Sequence, residues 1–204
     1  MVRVVNEVYE KIRRMKQYAL NNKVPIMQDD GIDFITAYIQ KKRITKILEV
    51  GSAIGYSAIM MALSSPNVQI ITIEKDRERY LEAIKNVKKF KLEDRITLIF
   101  ADALEAKIEG RFDLILIDAA KGKNLDFFKR YEKNLELNGA ILTDNMNFHG
   151  FVNMDLKDIE SRNIRGLVKK IRAYKEFLEN NENYKTKFYD IGDGISVSER
   201  SVEL

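Results

Sequence analysis

Apolar residues recur at helical spacing at Val5, Val8, Ile12, Met15 and Ala19. They predict an amphipathic helix that ends near Val24-Pro25, because the residue before a proline is pushed out of helical backbone. A second helix is expected from residue 29 to about 42. Short apolar runs and helical patterns then alternate, with strands over 45–50, 68–73, 96–100, 112–117 and 140–143 and helices over 56–63, 76–89 and 124–135. Such alternation predicts a mostly parallel, doubly wound α/β sheet of the Rossmann-like kind. After a helix over about 163–179, strands over 184–189 and 195–198 flank Asp190-Ile-Gly192-Asp-Gly194, a turn-rich link suited to an antiparallel hairpin. One domain over 1–204 is expected, with N-terminal helices over 1–43 and a ligand-binding core over 44–204.

Chemistry gathers at the strand ends. The run Leu114-Ile-Leu-Ile117 closes on Asp118-Ala-Ala-Lys121, and Ala140-Ile-Leu142 closes on Thr143-Asp144-Asn145. Ligands of open α/β sheets bind at the carboxyl ends of the strands. Two carboxylates and an amide, all hard oxygen donors, therefore converge where Mg2+ or Ca2+ could sit, with Lys121 close by. Upstream, Glu49-Val-Gly51-Ser-Ala-Ile-Gly55-Tyr-Ser57 forms a glycine turn after the first strand, and Glu74 ends the second, placed to accept both hydroxyls of a ribose. A dinucleotide site would need Gly-x-Gly-x-x-Gly, and the bulky Ile54 makes NAD the weaker reading.

Composition narrows the classes. With 204 residues, 45% of them hydrophobic, the chain suffices for one sizeable core. It has no cysteine for disulfides or thiolate metal sites, and no run near the roughly 18 apolar residues of a membrane helix. Charges within the first seven residues and the lack of a small-residue cleavage site argue against a signal peptide, so a cytoplasmic location is expected. The net charge of +4 is unevenly spread: residues 1–46 carry +5 and 155–187 carry +3, whereas 47–154 carry -1. Basicity therefore flanks the ligand-binding core.

The glycine turn, Glu74 and Asp102 resemble S-adenosylmethionine-dependent methyltransferases. With Asp118-Ala-Ala-Lys121 and Asp144-Asn145 added, the chain from about Val24-Pro25-Ile-Met27 onward resembles the divalent-cation-dependent O-methyltransferases of the catechol and caffeoyl-CoA type. The resemblance implies that Asp118, Asp144 and Asn145 ligate Mg2+ and that Lys121 is the general base. It further implies that Glu74 holds the ribose, Asp102 and Ala103 face the adenine, Glu49, Gly51 and Ser57 surround the methionine part, and Met27 borders the methyl donor. Tyr56 is read as a wall of the cofactor turn. A homodimer is also implied, and the apolar face of the first helix could serve an interface or the chain's own core.

The acceptor should present two vicinal oxygens, as catechols do and as 5-hydroxyuridine does. Residues 161–172 and the Asp144-Asn-Met-Asn-Phe148-His-Gly150 loop look most like a bacterial branch that methylates 5-hydroxyuridine at the tRNA wobble position. Arg162, Arg165, Lys169 and Arg172 recur at spacings of three and four and form a basic stripe suited to phosphates. His149, Phe148 and Phe151 lie near enough to Asp144 to be weighed as substrate contacts. Ala119-Ala120 and the lack of tryptophan argue against a narrow aromatic slot and for an acceptor attached to something large: a tRNA anticodon loop or a coenzyme A ester. A small phenolic acceptor is the alternative. An RNA-binding module with a vestigial cofactor fold, and a nicotinamide oxidoreductase, are the readings from other classes.

Overall fold

The computed structural model describes residues 2–201, with side chains from Asn6 onward. Helices α1 (Val2–Asn21) and α2 (Asp29–Lys42) precede the alternation β1 (Lys46–Val50), α3 (Tyr56–Ser64), β2 (Gln69–Glu74), α4 (Arg77–Phe90), β3 (Ile96–Phe100) and β4 (Phe112–Ile117). The chain continues through α5 (Asn124–Tyr131), β5 (Leu135–Thr143), α6 (Arg162–Glu179), β6 (Tyr184–Tyr189) and β7 (Ile195–Arg200). One sheet results, in the order β3-β2-β1-β4-β5-β7-β6. The first five strands in that order run parallel; β7 pairs antiparallel with both β5 and β6, as the turn-rich link predicted.

Period-2 alternation divides the strands between two cores. Ile47, Leu114, Leu116 and Leu142 pack on the side of α2 and α3, while Leu48, Val50, Ile115, Ile117 and Ile141 meet Phe127, Phe128, Tyr131 and Tyr174 of α5 and α6. Both faces are covered, which is why these strands read as unbroken apolar runs. From α1, Met15 and Ala19 enter the first core and Val8 and Ile12 are half-buried. The side chain of Val5 lies outside the described residues. No helix among the described residues is long and apolar enough to cross a membrane.

One boundary differs from expectation. The helix expected over 124–135 stops at Tyr131, a 3-10 turn covers Glu132–Asn134, and Leu135 already belongs to β5. Asn134 donates its side-chain amide to the carbonyls of Ile108 and Gly110, and the fully buried Leu135 pairs with Phe112. Long-range pairing overrides local helix propensity here.

Register sets the site. Val50 of β1 lies beside Ile117 of β4, and Ile117 beside Thr143 of β5. The next residues, Gly51, Asp118 and Asp144, therefore emerge side by side, tied by Asp118 N donating to Val50 O at 3.0 Å and Asp144 N to Ile117 O at 3.1 Å. Strand order reverses between β1 and β4, the switch point where such sheets open a crevice.

Candidate active site

A cavity of about 450 Å3 opens over these strand ends. Met27, Gly51, Tyr56, Ser57, Glu74, Asp102, Ala103, Asp118, Lys121, Asp144, Asn145 and His149 all line it. A larger depression of about 760 Å3 between Glu132 and Asn183 lies on the α5–α6 side and holds none of the strand-end groups.

Gly51 makes the close approach possible. It sits at φ +100°, and a Cβ there would lie 2.3 Å from the Asp118 carbonyl oxygen, so only glycine fits between β1 and β4. Across the turn, Glu74 is nearly buried and accepts from Ala53 N through Oε2 and from Asp76 N through Oε1, both at 2.8 Å. Those two bonds fix the carboxylate at the cavity wall and leave further lone pairs for a diol. Asp102 is held by Leu104 N at 2.9 Å, and the Ala103 carbonyl accepts from Tyr131 Oη at 2.5 Å.

Glu49 departs from its expected place. It is fully buried and does not line the cavity; its Oε1 accepts from Ser57 Oγ at 2.5 Å and its Oε2 from Thr72 Oγ1. It therefore positions Ser57, which does face the cavity. Burial pushes its carboxyl up to about 7, against the lowering effect of the two hydroxyls. Beside it Ser52, absent from the sequence-based set, lines the same wall with a buried hydroxyl that has no partner. An orphaned hydroxyl near Glu74 fits a polar ligand in this cavity.

The N-terminal helices close the near side. Lys16 of α1 pairs with Asp29 of α2 at 2.6 Å and stands 5.8 Å from the ring of Tyr56, whose hydroxyl reaches Asp29 at 3.4 Å. Tyr56 thus stands at the cavity wall, pinned by both helices.

Opposite, the amide nitrogen of Asn145 donates to Asp118 Oδ1 at 3.2 Å and to Asp144 Oδ2 at 3.0 Å. Asn145 adopts φ +65°, a conformation asparagine tolerates, which aims its side chain back between the carboxylates. Asp118 is held well above the usual carboxylate range by burial and then by Asp144; Asp144 is raised too, by burial first. Two carboxylates that resist ionisation thus lie within reach of one amide at the strand ends; among the described residues no cluster of three or more His, Cys, Asp or Glu that could hold a metal is found.

Lys121 donates to Asn145 Oδ1 at 2.5 Å, and its Nζ lies 3.4 Å from Asp193 Oδ2 and 5.0 Å from the centre of the Phe148 ring. The buried Asp193 also accepts from His149 N at 2.5 Å, so one carboxylate secures both the lysine and the loop after Asp144. Sequence reasoning missed Asp193; its one signal was an acid between two glycines in the hairpin turn. Phe148 stacks obliquely on His149 and Phe151, with both centroid distances 5.7 Å, as a rim beside Lys121.

The basic stripe of α6 does not reach the cavity. Arg165 donates to the carbonyls of Ile159 and Glu160, and Arg172 to those of Val152 and Met154. These two arginines tie the 147–160 segment to α6. Arg162 and Lys169 remain exposed.

A family model described as O-methyltransferase matches residues 3–201. The chain belongs to the O-methyltransferase family. Its relatives include the flavonoid 3',5'-methyltransferase of Vitis vinifera, 28% identical over 93% of this chain and 83% of that protein. A caffeoyl-CoA O-methyltransferase of Populus kitakamiensis is 25% identical over 91% of this chain and 82% of its own length. Among solved structures, a Staphylococcus aureus protein provisionally described as a caffeoyl-CoA O-methyltransferase superposes with a TM-score of 0.89 at 33% identity, covering 97% of this chain and all of that one. An O-methyltransferase of Bacillus cereus in complex with S-adenosylhomocysteine (SAH) shares the fold at a TM-score of 0.80 and 22% identity, covering 94% of this chain and 91% of its own. This O-methyltransferase is S-adenosylmethionine-dependent, and the cavity between Glu74 and Asp118 suits its cofactor.

Proposed function

We propose that this O-methyltransferase transfers the methyl group to one of two vicinal oxygens on an aromatic acceptor, with a divalent cation held by Asp118, Asp144 and Asn145. The observation that carries this reading is the meeting of three oxygen-bearing side chains, Asp118, Asp144 and Asn145, at the mouth of the cofactor cavity, with the amide 3.2 and 3.0 Å from the two carboxylates. When bound, the cofactor supplies an activated sulfonium methyl and the cation a Lewis acid that lowers the pKa of an acceptor hydroxyl. The residues do the rest. Glu74 would hold the ribose hydroxyls, Asp102 and Ala103 the adenine, and Ser57, set by Glu49, the methionine part. Lys121 would take the proton from the acceptor hydroxyl as the methyl group passes from the cofactor's sulfur to that oxygen. Met27 and Tyr56 cover the reacting centre from the N-terminal side, so most of the contribution is positioning.

The relatives' names support a phenolic acceptor of the flavonoid or caffeoyl type. A second reading, 5-hydroxyuridine at the tRNA wobble position, keeps the same oxygen pair and is supported by the surplus of basic residues flanking the core. A homodimer is proposed with either. The deciding experiment is transfer of labelled methyl to tRNA carrying 5-hydroxyuridine, to caffeoyl-CoA and to a free catechol in parallel. Labelling of the phenols alone supports the first reading and labelling of tRNA alone the second, whereas no labelling of any vicinal-oxygen acceptor overturns both.

A further inference from the structure

A second concave surface lies away from the catalytic cavity, between α2 and the outer strands β6 and β7. It encloses about 380 Å3. Strand alternation turns Lys185, Lys187 and Tyr189 of β6 to one face, and α2 sets Phe34, Tyr38 and Lys41 against it. Tyr189 and Phe34 meet at 4.8 Å between ring centres. Glu199 of β7, the acid in the groove wall, is engaged by Lys42 at 2.7 Å and by the Tyr38 hydroxyl at 2.9 Å. Among the described residues no carboxylate lies within ion-pair distance of Lys41, Lys185 or Lys187.

We propose that this groove binds a single-stranded RNA segment, with its phosphates on Lys41, Lys185 and Lys187 and bases against Phe34, Tyr38 and Tyr189. Positive charge tracking a channel with aromatic faces along it is the chemistry of single-strand binding. The lysines stand on both walls. Lys185 and Lys187 lie about 6.6 Å apart along the strand, and the stretch to Tyr189 measures about 13 Å, room for about four stacked nucleotides at ~3.4 Å each. A chain of phosphates matches that distribution better than one headgroup does. A second copy of this chain pairing along the edge strand β6 is disfavoured by the same lysines. The groove also leads toward the active site: Tyr189 pairs with Ile195, next to the turn that carries Asp193. The inference rests on the RNA reading of the acceptor and supplies the anchoring surface that Arg165 and Arg172 do not.

The test is fluorescence anisotropy of a labelled, unmodified single-stranded RNA octamer with the full chain, titrated with salt. Binding that weakens roughly 20-fold between 50 and 200 mM salt is expected for three phosphate contacts. Lys185→Glu with Lys187→Glu should weaken it at least tenfold, while Lys107→Glu with Lys133→Glu, exposed sites outside the groove, should change it less than twofold. The melting-temperature rise on adding S-adenosylmethionine should be the same in all three proteins, showing that the groove variant is folded. No RNA binding, or equal weakening by both pairs, overturns the proposal even if 5-hydroxyuridine is methylated. Coenzyme A binding as tightly as the octamer through the same lysines, or a change of oligomeric mass in the groove variant with RNA affinity intact, overturns it in favour of a nucleotide headgroup or a second copy.

Discussion

The side-chain amide of Asn145 faces Lys121 with its oxygen, 2.5 Å away, and the Asp118 and Asp144 carboxylates with its nitrogen. A cation held between those carboxylates, as proposed, would need oxygen there, so the amide would turn over and Lys121 would lose its closest acceptor. Cation loading and the freedom of the lysine would then be linked.

Mg2+ should raise the melting temperature of the wild type, and Asn145→Gly, which keeps the left-handed backbone at φ +65°, should abolish that rise. Asn145→Ala should lose the same response and also cost about 1–2 kcal/mol without metal, from the strained backbone. Thermal melts with and without Mg2+ separate the two effects.

Acid should compete with the cation. Asp118 and Asp144 both have raised pKa values, so without metal they contribute most to stability below the ordinary carboxylate range near ~4, and that contribution is lost as pH rises through the raised values. Cation affinity should therefore climb across the same interval. Calorimetric titration of Mg2+ in buffers of different ionisation heat should detect proton release on binding, largest at mildly acidic pH.

Glu49 offers a test of positioning. With its carboxyl pushed up to about 7, its contribution is full below about 4.5 and is lost as pH rises through 7. Glu49→Gln removes the buried charge and should be roughly 2–3 kcal/mol more stable than wild type at pH 8, with the gap closing at pH 5. Denaturant melts at the two pH values would show it. If Glu49 acts through Ser57, S-adenosylmethionine affinity at pH 8 should fall in Ser57→Ala at least as much as in Glu49→Gln.

Arg172→Ala should leave the Val152 and Met154 carbonyls short of a donor and cost about 1–3 kcal/mol. The 147–160 segment should then be cut faster in limited proteolysis, while tRNA affinity, if the arginine is only a tie, should stay within twofold.

The fold was largely legible because its signals are local: apolar runs closed by Asp118 and Asp144, and helical spacing from Asp76 to Lys89. The two strand-end acids and Asn145 come together because β1, β4 and β5 end in register, which the run lengths already imply. The burial of Glu49 was not legible, because an acid inside a strand gives no sign of which layer it enters; the hydroxyls of Ser57 and Thr72, 8 and 23 residues away, account for it. Asp193 was hidden for a related reason: its partners, Lys121 and His149, are 72 and 44 residues away, so the local pattern read as a turn. The stripe on α6 shows the complementary limit of local patterns. Periodicity found the face, but the carbonyls that occupy Arg165 and Arg172 belong to a segment without periodicity.

The most direct test of the cation site is the initial rate of methyl transfer to the best vicinal-oxygen acceptor, for the wild type and Asp144→Ala, with Mg2+ and with excess chelator. If the cation takes part in catalysis, chelator cuts the wild-type rate at least a hundredfold, added Mg2+ restores it, and Asp144→Ala is slow under both conditions. A wild-type rate unchanged by chelator would rule the cation out.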